Sequence, residues 1–144
     1  MVDVTRTFTV SRARADVAAY LRDFANATEW DPGTVACTQA TPGPVAVGTE
    51  WNNTSKLYGI STELTYRLEV DEPGHIVLKG TNKTATSTDD ITLNEAGPTS
   101  TEITYHANIE FNGLAKLADP LAGIAFERVG KETEEQMIAA LEKR

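Results

Sequence analysis

Thr101-Glu102-Ile103-Thr104-Tyr105-His106-Ala107-Asn108-Ile109-Glu110-Phe111 is followed a few residues later by Asp119-Pro120-Leu121-Ala122-Gly123-Ile124-Ala125-Phe126-Glu127-Arg128-Val129. The first stretch alternates strictly. Ile103, Tyr105, Ala107, Ile109 and Phe111 fall on one side and polar residues on the other, the period-two signature of a half-buried strand. In the second, the period lengthens. Leu117, Leu121, Ile124, Val129, Ile138 and Leu141 recur at spacings that suit one helical stripe, with Arg128, Lys131, Glu132, Glu134, Glu135 and Lys143 largely off it. Asp119-Pro120 is a start signal: a capping side chain, then a proline whose missing N–H costs nothing in the first turn. The spacing predicts a long amphipathic helix with its main body at 120–142. Gly123 and Gly130 each weaken it by roughly 1 kcal/mol relative to alanine, which implies close packing or a bend there.

Upstream of this pair lies about eighty residues of threonine-rich, β-branched sequence, broken at Pro42-Gly43-Pro44, Tyr58-Gly59, Glu72-Pro73-Gly74, near Lys83 and at Ala96-Gly97-Pro98. Strands are predicted near 34–41, 48–57, 60–71, 75–82, 85–94 and 101–112. One of them carries Ile60, Leu64, Tyr66, Leu68 and Val70 on its inward face. A further strand opens the chain, with Val2, Val4, Arg6, Phe8 and Val10 on one side. Between it and the meander, Val17, Leu21 and Phe24 mark a short helix. Asp23 or Asn26 caps a second helical turn that must end before Asp31-Pro32-Gly33. An antiparallel sheet with one apolar face needs cover, and the last helix is the element long enough to provide it. The fold class is therefore α+β: a seven-stranded antiparallel sheet gripping a long C-terminal helix, with two short helices between the first and second strands, in one domain spanning 1–144. The gap between sheet and helix is the natural place for a ligand.

Composition narrows the function. With 144 residues the chain can bury roughly 70% of its unfolded surface, enough for a core and a cavity without staples. Apolar residues make up 40% and charged residues 24%, the balance of a globular protein. Thirteen basic residues against 21 acidic ones give a net charge of −8 and a pI near 4.7. Nucleic acid and anionic membrane surfaces are poor partners for such a chain. A single cysteine, Cys37, excludes an internal disulfide and an all-cysteine metal site, and suits a reducing compartment. With no transmembrane-length apolar run and no signal-peptide core, the expected location is cytoplasmic.

The sequence carries no nucleophile elbow, zinc-protease or phosphate-loop motif. His75 and His106 neighbour inward Ile76 and Tyr105, so the alternation turns both outward. Cys37 shares the inward face with Val35, as a small hydrophobe. Asp31-Pro32-Gly33 reads as turn chemistry and Trp30 as core at a helix exit. The inward polar set is more telling: Trp51, Asn53 and Ser55 on one strand, Thr62 and Tyr66 on the next, Asn82 in phase with Ile76, Leu78 and Gly80, and Ser87 and Asp89 in phase with Ile91 and Leu93. A carboxylate on a buried face needs hydrogen bonds, a cation or a proton. Asp89 is then either bound by a nearby Tyr, Thr or backbone N–H, or is a polar anchor or general acid/base. Arg6 poses the same question from the first strand, where snorkelling at the sheet edge answers it.

Several strings give this order of elements a family likeness: Tyr20-Leu21-Arg22-Asp23-Phe24 with Trp30-Asp31-Pro32-Gly33, Gly43-Pro44-Val45-Ala46-Val47-Gly48-Thr49, Leu64-Thr65-Tyr66, Thr88-Asp89-Asp90-Ile91 and Thr104-Tyr105-His106-Ala107. Across nearly its whole length the chain resembles the START-like, helix-grip superfamily, in its polyketide cyclase/dehydrase-like branch. The resemblance implies a binder, carrier or modifier of a bulky apolar molecule, with no metal, nucleotide or other cofactor. The leading expectation is a hydrophobic, aromatic or polyketide-like ligand held by Trp51, Asn53, Thr62, Tyr66, Asn82, Asp89, Tyr105, Leu121, Ile124 and Ala125. Two alternatives stand beside it. One is an aromatase/cyclase or dehydratase in which Tyr66, Asp89 and Asn82 orient a polyketone and move protons. The other is a protein-interaction module acting through its acidic surface.

Overall fold

The computed structural model describes residues 2–57, 60–113 and 119–144, with side chains throughout except at 57, 60 and 119–125. The order is β1 (Val2–Val10), α1 (Arg14–Arg22), a 3-10 turn (Phe24–Asn26), α2 (Ala27–Trp30), β2 (Thr34–Gln39), β3 (Glu50–Leu57), β4 (Ile60–Glu72), β5 (His75–Thr81), β6 (Ala85–Gly97), β7 (Ser100–Phe111) and α3 (Asp119–Glu142). All seven strands form one antiparallel sheet in the order β1-β7-β6-β5-β4-β3-β2. Hairpins join β2 through β7 in sequence. The two short helices instead carry the chain from one edge of the sheet to the other, since β1 and β2 are the edge strands.

The helical crossover is built as the sequence suggests, with one refinement. Asp23 ends α1 and accepts from the Ala25 backbone N–H at 3.1 Å, capping the 3-10 turn that runs directly into α2. Val17, Leu21, Phe24 and Trp30 are fully buried and cover one half of the inner sheet face, above Leu68, Ile76, Leu78, Ile91, Leu93 and Ile103. At α3, the buried stripe is Val129, Thr133, Met137, Ala140 and Leu141, at helical spacing. Ile138 flanks it, half-buried. Thr133 is accommodated because its hydroxyl donates to the Val129 carbonyl at 2.8 Å. The helix packs along β1 and against α2. At Gly130 it approaches β1 closely, with no room for a Cβ beside the Val4 side chain.

Two bulges overturn inward assignments made by strict alternation. Between Thr34 and Ala36 the β2–β3 register shifts, so Thr34 and Cys37 turn inward while Val35 is 59% exposed. Between Leu68 and Val70 the β4–β5 register shifts too: Leu68 pairs with inward Leu78, but Val70 pairs with Val77 on the outer face. Asp71 is thereby brought opposite Ile76 and ion-pairs with Arg22 of α1 at 3.1 Å. A third correction concerns Asn82. The strand ends at Thr81, and Asn82 organises the β5–β6 turn, its Oδ1 accepting from the Thr84 and Ala85 backbone N–H groups at 2.8 Å each.

Candidate functional site

Pairing register sorts the inner face into rows that cross the sheet. One row runs Trp51, Tyr66, Gly80, Ser87 and Ile109, the next Leu68, Leu78, Asp89 and Ala107, and the next Ile76, Ile91 and Tyr105. The rows under α1 and α2 are closed. Towards the other end the face retains accessible surface at Ser55, Thr62, Leu64, Ala107, Ile109 and Phe111. An apolar floor that is sealed at one end and reachable at the other is the geometry of a ligand chamber.

Three polar groups are set into this floor. Asp89, 4% exposed, accepts a 2.9 Å hydrogen bond at Oδ1 from the Tyr105 hydroxyl. Burial pushes its pKa up to about 7, the Asp31 carboxylate adds to the rise, and the Tyr105 bond opposes it. Tyr66 lays its ring across Gly80, where there is no side chain, and its hydroxyl donates to Ser87 Oγ on the strand beyond at 3.1 Å. Both tyrosines are held well above their ordinary pKa by burial and then by the Asp89 charge, so they remain donors. The third group is a relay: Ser55 Oγ donates to Asn53 Oδ1 (2.7 Å), Asn53 Nδ2 to Thr34 Oγ1 (3.0 Å), and Thr34 Oγ1 to Asp31 Oδ2 (2.8 Å). Asp31 also accepts from the Gly33 N–H at 3.1 Å, and burial raises its pKa against these two bonds.

Aromatic rings tie the groups together. Phe24 sits 4.3 Å from the Tyr66 ring and packs edge-on against Trp30 and Trp51 at 5.9 and 6.2 Å. Trp30, the residue before Asp31, meets Tyr105 at 5.9 Å. Both indole N–H groups, Trp30 Nε1 and Trp51 Nε1, are sealed from solvent without an acceptor among the described residues. A buried donor left without an acceptor is a cost of about 1–3 kcal/mol.

Of the residues singled out from sequence, Trp51, Asn53, Tyr66, Asp89 and Tyr105 lie together on the buried inner face, and Thr62 lies half-buried on the same face. Asn82 stands apart in its turn. Leu121, Ile124 and Ala125 lie outside the residues whose side chains are described. Asp31, read from sequence as turn chemistry alone, does make that turn, and it also acts electrostatically on Asp89. Its local signal was a turn motif, and only the helical crossover brings it to the sheet. Cys37 is buried, and burial pushes its thiol up to about 11, away from reactivity. His75 and His106 do face outward, bound to Asp90 and Asp3 at 2.7 and 2.8 Å. Arg6 is held by Glu134 of α3 at 3.0 Å. An open groove of about 500 Å³ is lined by Asn52, Asn53, Thr54, Glu63, Leu64, Thr65, Thr81, Asn82 and Lys83. It contains none of Asp31, Asp89, Tyr66 and Tyr105, so the buried part of the inner face is the better candidate site.

A curved antiparallel sheet, a helical crossover between its edges and a long C-terminal helix, with polar groups set in an apolar inner face, define a helix-grip domain. The chain belongs to the polyketide cyclase / dehydrase and lipid transport family, whose pattern matches residues 1–142. None of the curated proteins matches it significantly by sequence. Among solved structures it is similar to the Zhui aromatase/cyclase from Streptomyces sp. R1128, at a TM-score of 0.81 and 14% identity over 99% of this chain and 94% of that one. A START superfamily protein from Mycobacterium smegmatis is similar at 0.73 and 18% identity over 99% and 95%. The di-domain ARO/CYC StfQ from the steffimycin biosynthetic pathway is similar at 0.66 and 17% identity, over 97% of this chain and 44% of that longer one. Identities this low speak to the fold. Among the described residues no helix is long and apolar enough to cross a membrane.

Proposed function

We propose that this chain binds a small hydrophobic ligand, of aromatic or polyketide-like kind, between the inner face of its sheet and α3. The observation that carries this reading is the setting of Asp89 and Tyr105. A hydrogen-bonded acid, almost wholly buried on a largely apolar sheet face, is costly unless it serves an occupant. The accessible end of the same face supplies the entry, and the family supplies the expectation of an apolar guest. A protein-interaction module would have no use for a polar group sealed inside. The acidic surface, disfavouring nucleic acid and anionic membranes, and the lone buried cysteine fit a carrier or modifier in the cytoplasm.

A second reading is favoured by one further observation: an acid whose pKa is about 7 exchanges a proton readily near neutrality. Asp89 would then act as general acid/base, with Tyr66 and Tyr105 as donors to a carbonyl, in an aromatase/cyclase or dehydratase. Native mass spectrometry of the freshly purified protein, with titration of apolar fluorescent probes, tests the shared core of both readings. A co-purified apolar molecule or saturable binding at about micromolar concentration is expected. Absence of both would overturn them.

A further inference from the structure

The charges of the inner face are unbalanced. Asp31 and Asp89 come from opposite sides of the aromatic cluster: Asp31 follows Trp30, Trp30 packs on Tyr105, and Tyr105 holds Asp89. Among the described residues Asp89 Oδ2 has no hydrogen-bond partner. The two arginines that border this face are already engaged, Arg6 by Glu134 and Arg22 by Asp71. A bound metal is a poor answer, because among the described residues no three His, Cys, Asp or Glu side chains come together.

We propose that the ligand carries a protonated amine on its apolar frame, seated against Asp89 Oδ2, which lies opposite half-buried Ala107 beside the accessible part of the inner face. This inference rests on the ligand-chamber reading and names the chemical class that the chamber selects. An ammonium group donates to the open carboxylate oxygen and balances its charge. Carboxylate-bearing ligands are disfavoured, since they would bring a third negative charge into a low-dielectric site. The net charge of −8 attracts cations to the protein and repels anions.

The test uses three probes of the same size and differing charge: naphthylmethylammonium, naphthalenemethanol and naphthoate. Each is titrated slightly above neutral pH into the full chain, followed by quenching of Trp30 and Trp51 fluorescence and by calorimetry. The ammonium probe is expected to bind at least about tenfold tighter than the alcohol, with naphthoate weakest. In Asp89→Asn, checked for folding by circular dichroism, the advantage of the ammonium over the alcohol is expected to shrink to within about threefold. Equal or tighter binding of the alcohol overturns the inference while leaving the chamber intact. Survival of the full preference in folded Asp89→Asn also overturns it. If none of the three probes binds, the chamber reading falls and the inference falls with it. The wild-type series needs no variant, so a failure of Asp89→Asn to fold does not protect the proposal.

Discussion

Gly80→Ala should destabilise the protein, although the same change at an open strand position would stabilise it. A Cβ at residue 80 would lie 2.5, 2.6 and 2.7 Å from Cε2, Cζ and Cδ2 of Tyr66. Ordinary carbon contacts begin near 3.5 Å, so the ring must move by about 1 Å. It has nowhere to go cheaply: Tyr66 is 6% exposed, Phe24 stacks 4.3 Å from its centre, and its hydroxyl is tied to Ser87 at 3.1 Å. Overpacking costs about 1–3 kcal/mol and a lost hydrogen bond about 1 kcal/mol. Removing glycine's excess freedom in the unfolded chain returns about 0.5–1 kcal/mol. The net loss is about 1–3 kcal/mol, read as a drop of roughly 3–10 °C in the thermal midpoint for a domain of this size. A double-mutant cycle with Tyr66→Leu identifies the cause, because without the phenol ring the alanine should cost nearly nothing, a coupling of at least about 1 kcal/mol. A higher midpoint for Gly80→Ala, or an equal loss in the Tyr66→Leu background, would refute the claim that Gly80 exists to let Tyr66 cross β5.

Two further outcomes follow from the same coordinates. Gly130→Ala should fail to deliver the roughly 1 kcal/mol that alanine gives a helix interior, because the new methyl group meets Val4 of β1; adding Val4→Ala should recover much of that gain, and denaturant unfolding of the four proteins measures it. Asp89 should also make stability fall as pH rises: between the ordinary carboxylate range near about pH 4 and its folded value of about 7, the native state keeps a proton that the unfolded chain has released. Asp31 contributes with the same sign, whereas Asp3 and Glu29, held below their ordinary values by hydrogen bonds from Asn108 and Tyr20 respectively, lose stability only as pH falls below that range. Asp89→Asn should flatten the slope and be the more stable protein above neutrality, by up to about 4 kcal/mol; an unchanged midpoint-versus-pH curve would show that Asp89 ionises normally.

The architecture was legible because the two periods in the sequence are produced by backbone geometry, and nothing in the tertiary structure had to override them. Alternation at 101–111 and helical spacing beyond 119 each report on which side of one element is dry. Alternation also found Asp89, since an acid in phase with Ile91 and Leu93 has no way out of the core. It failed at Val35 and Val70, where a bulge inserts one residue and every side chain beyond it changes face. Neither bulge carries a glycine or proline to announce it. It failed at Asn82 for a different reason: a residue in phase with a strand is not in the strand once its own side chain can satisfy the turn's backbone N–H groups.

Asp31 marks a deeper limit, and it bears on how the site works. Its neighbours in sequence explain its hydrogen bonds completely, so a local reading has no residue left over to assign. What gives it a second role is the crossover that carries α2 from the β1 edge towards β2 and lays Trp30 on Tyr105. The two acids then differ in support. Asp31 accepts from a backbone N–H and from a hydroxyl that is itself fed by Asn53 and Ser55, bonds that favour the charged form, while among the described residues Asp89 has the Tyr105 hydroxyl alone. Burial first, and the Asp31 carboxylate second, hold the proton on Asp89. A cation entering this chamber would reverse that balance by favouring ionised Asp89, so binding should release a proton near neutral pH. Calorimetry of the ammonium probe in buffers of different ionisation enthalpy reads that proton directly, and binding without proton release near neutrality would mean that the cation does not reach Asp89.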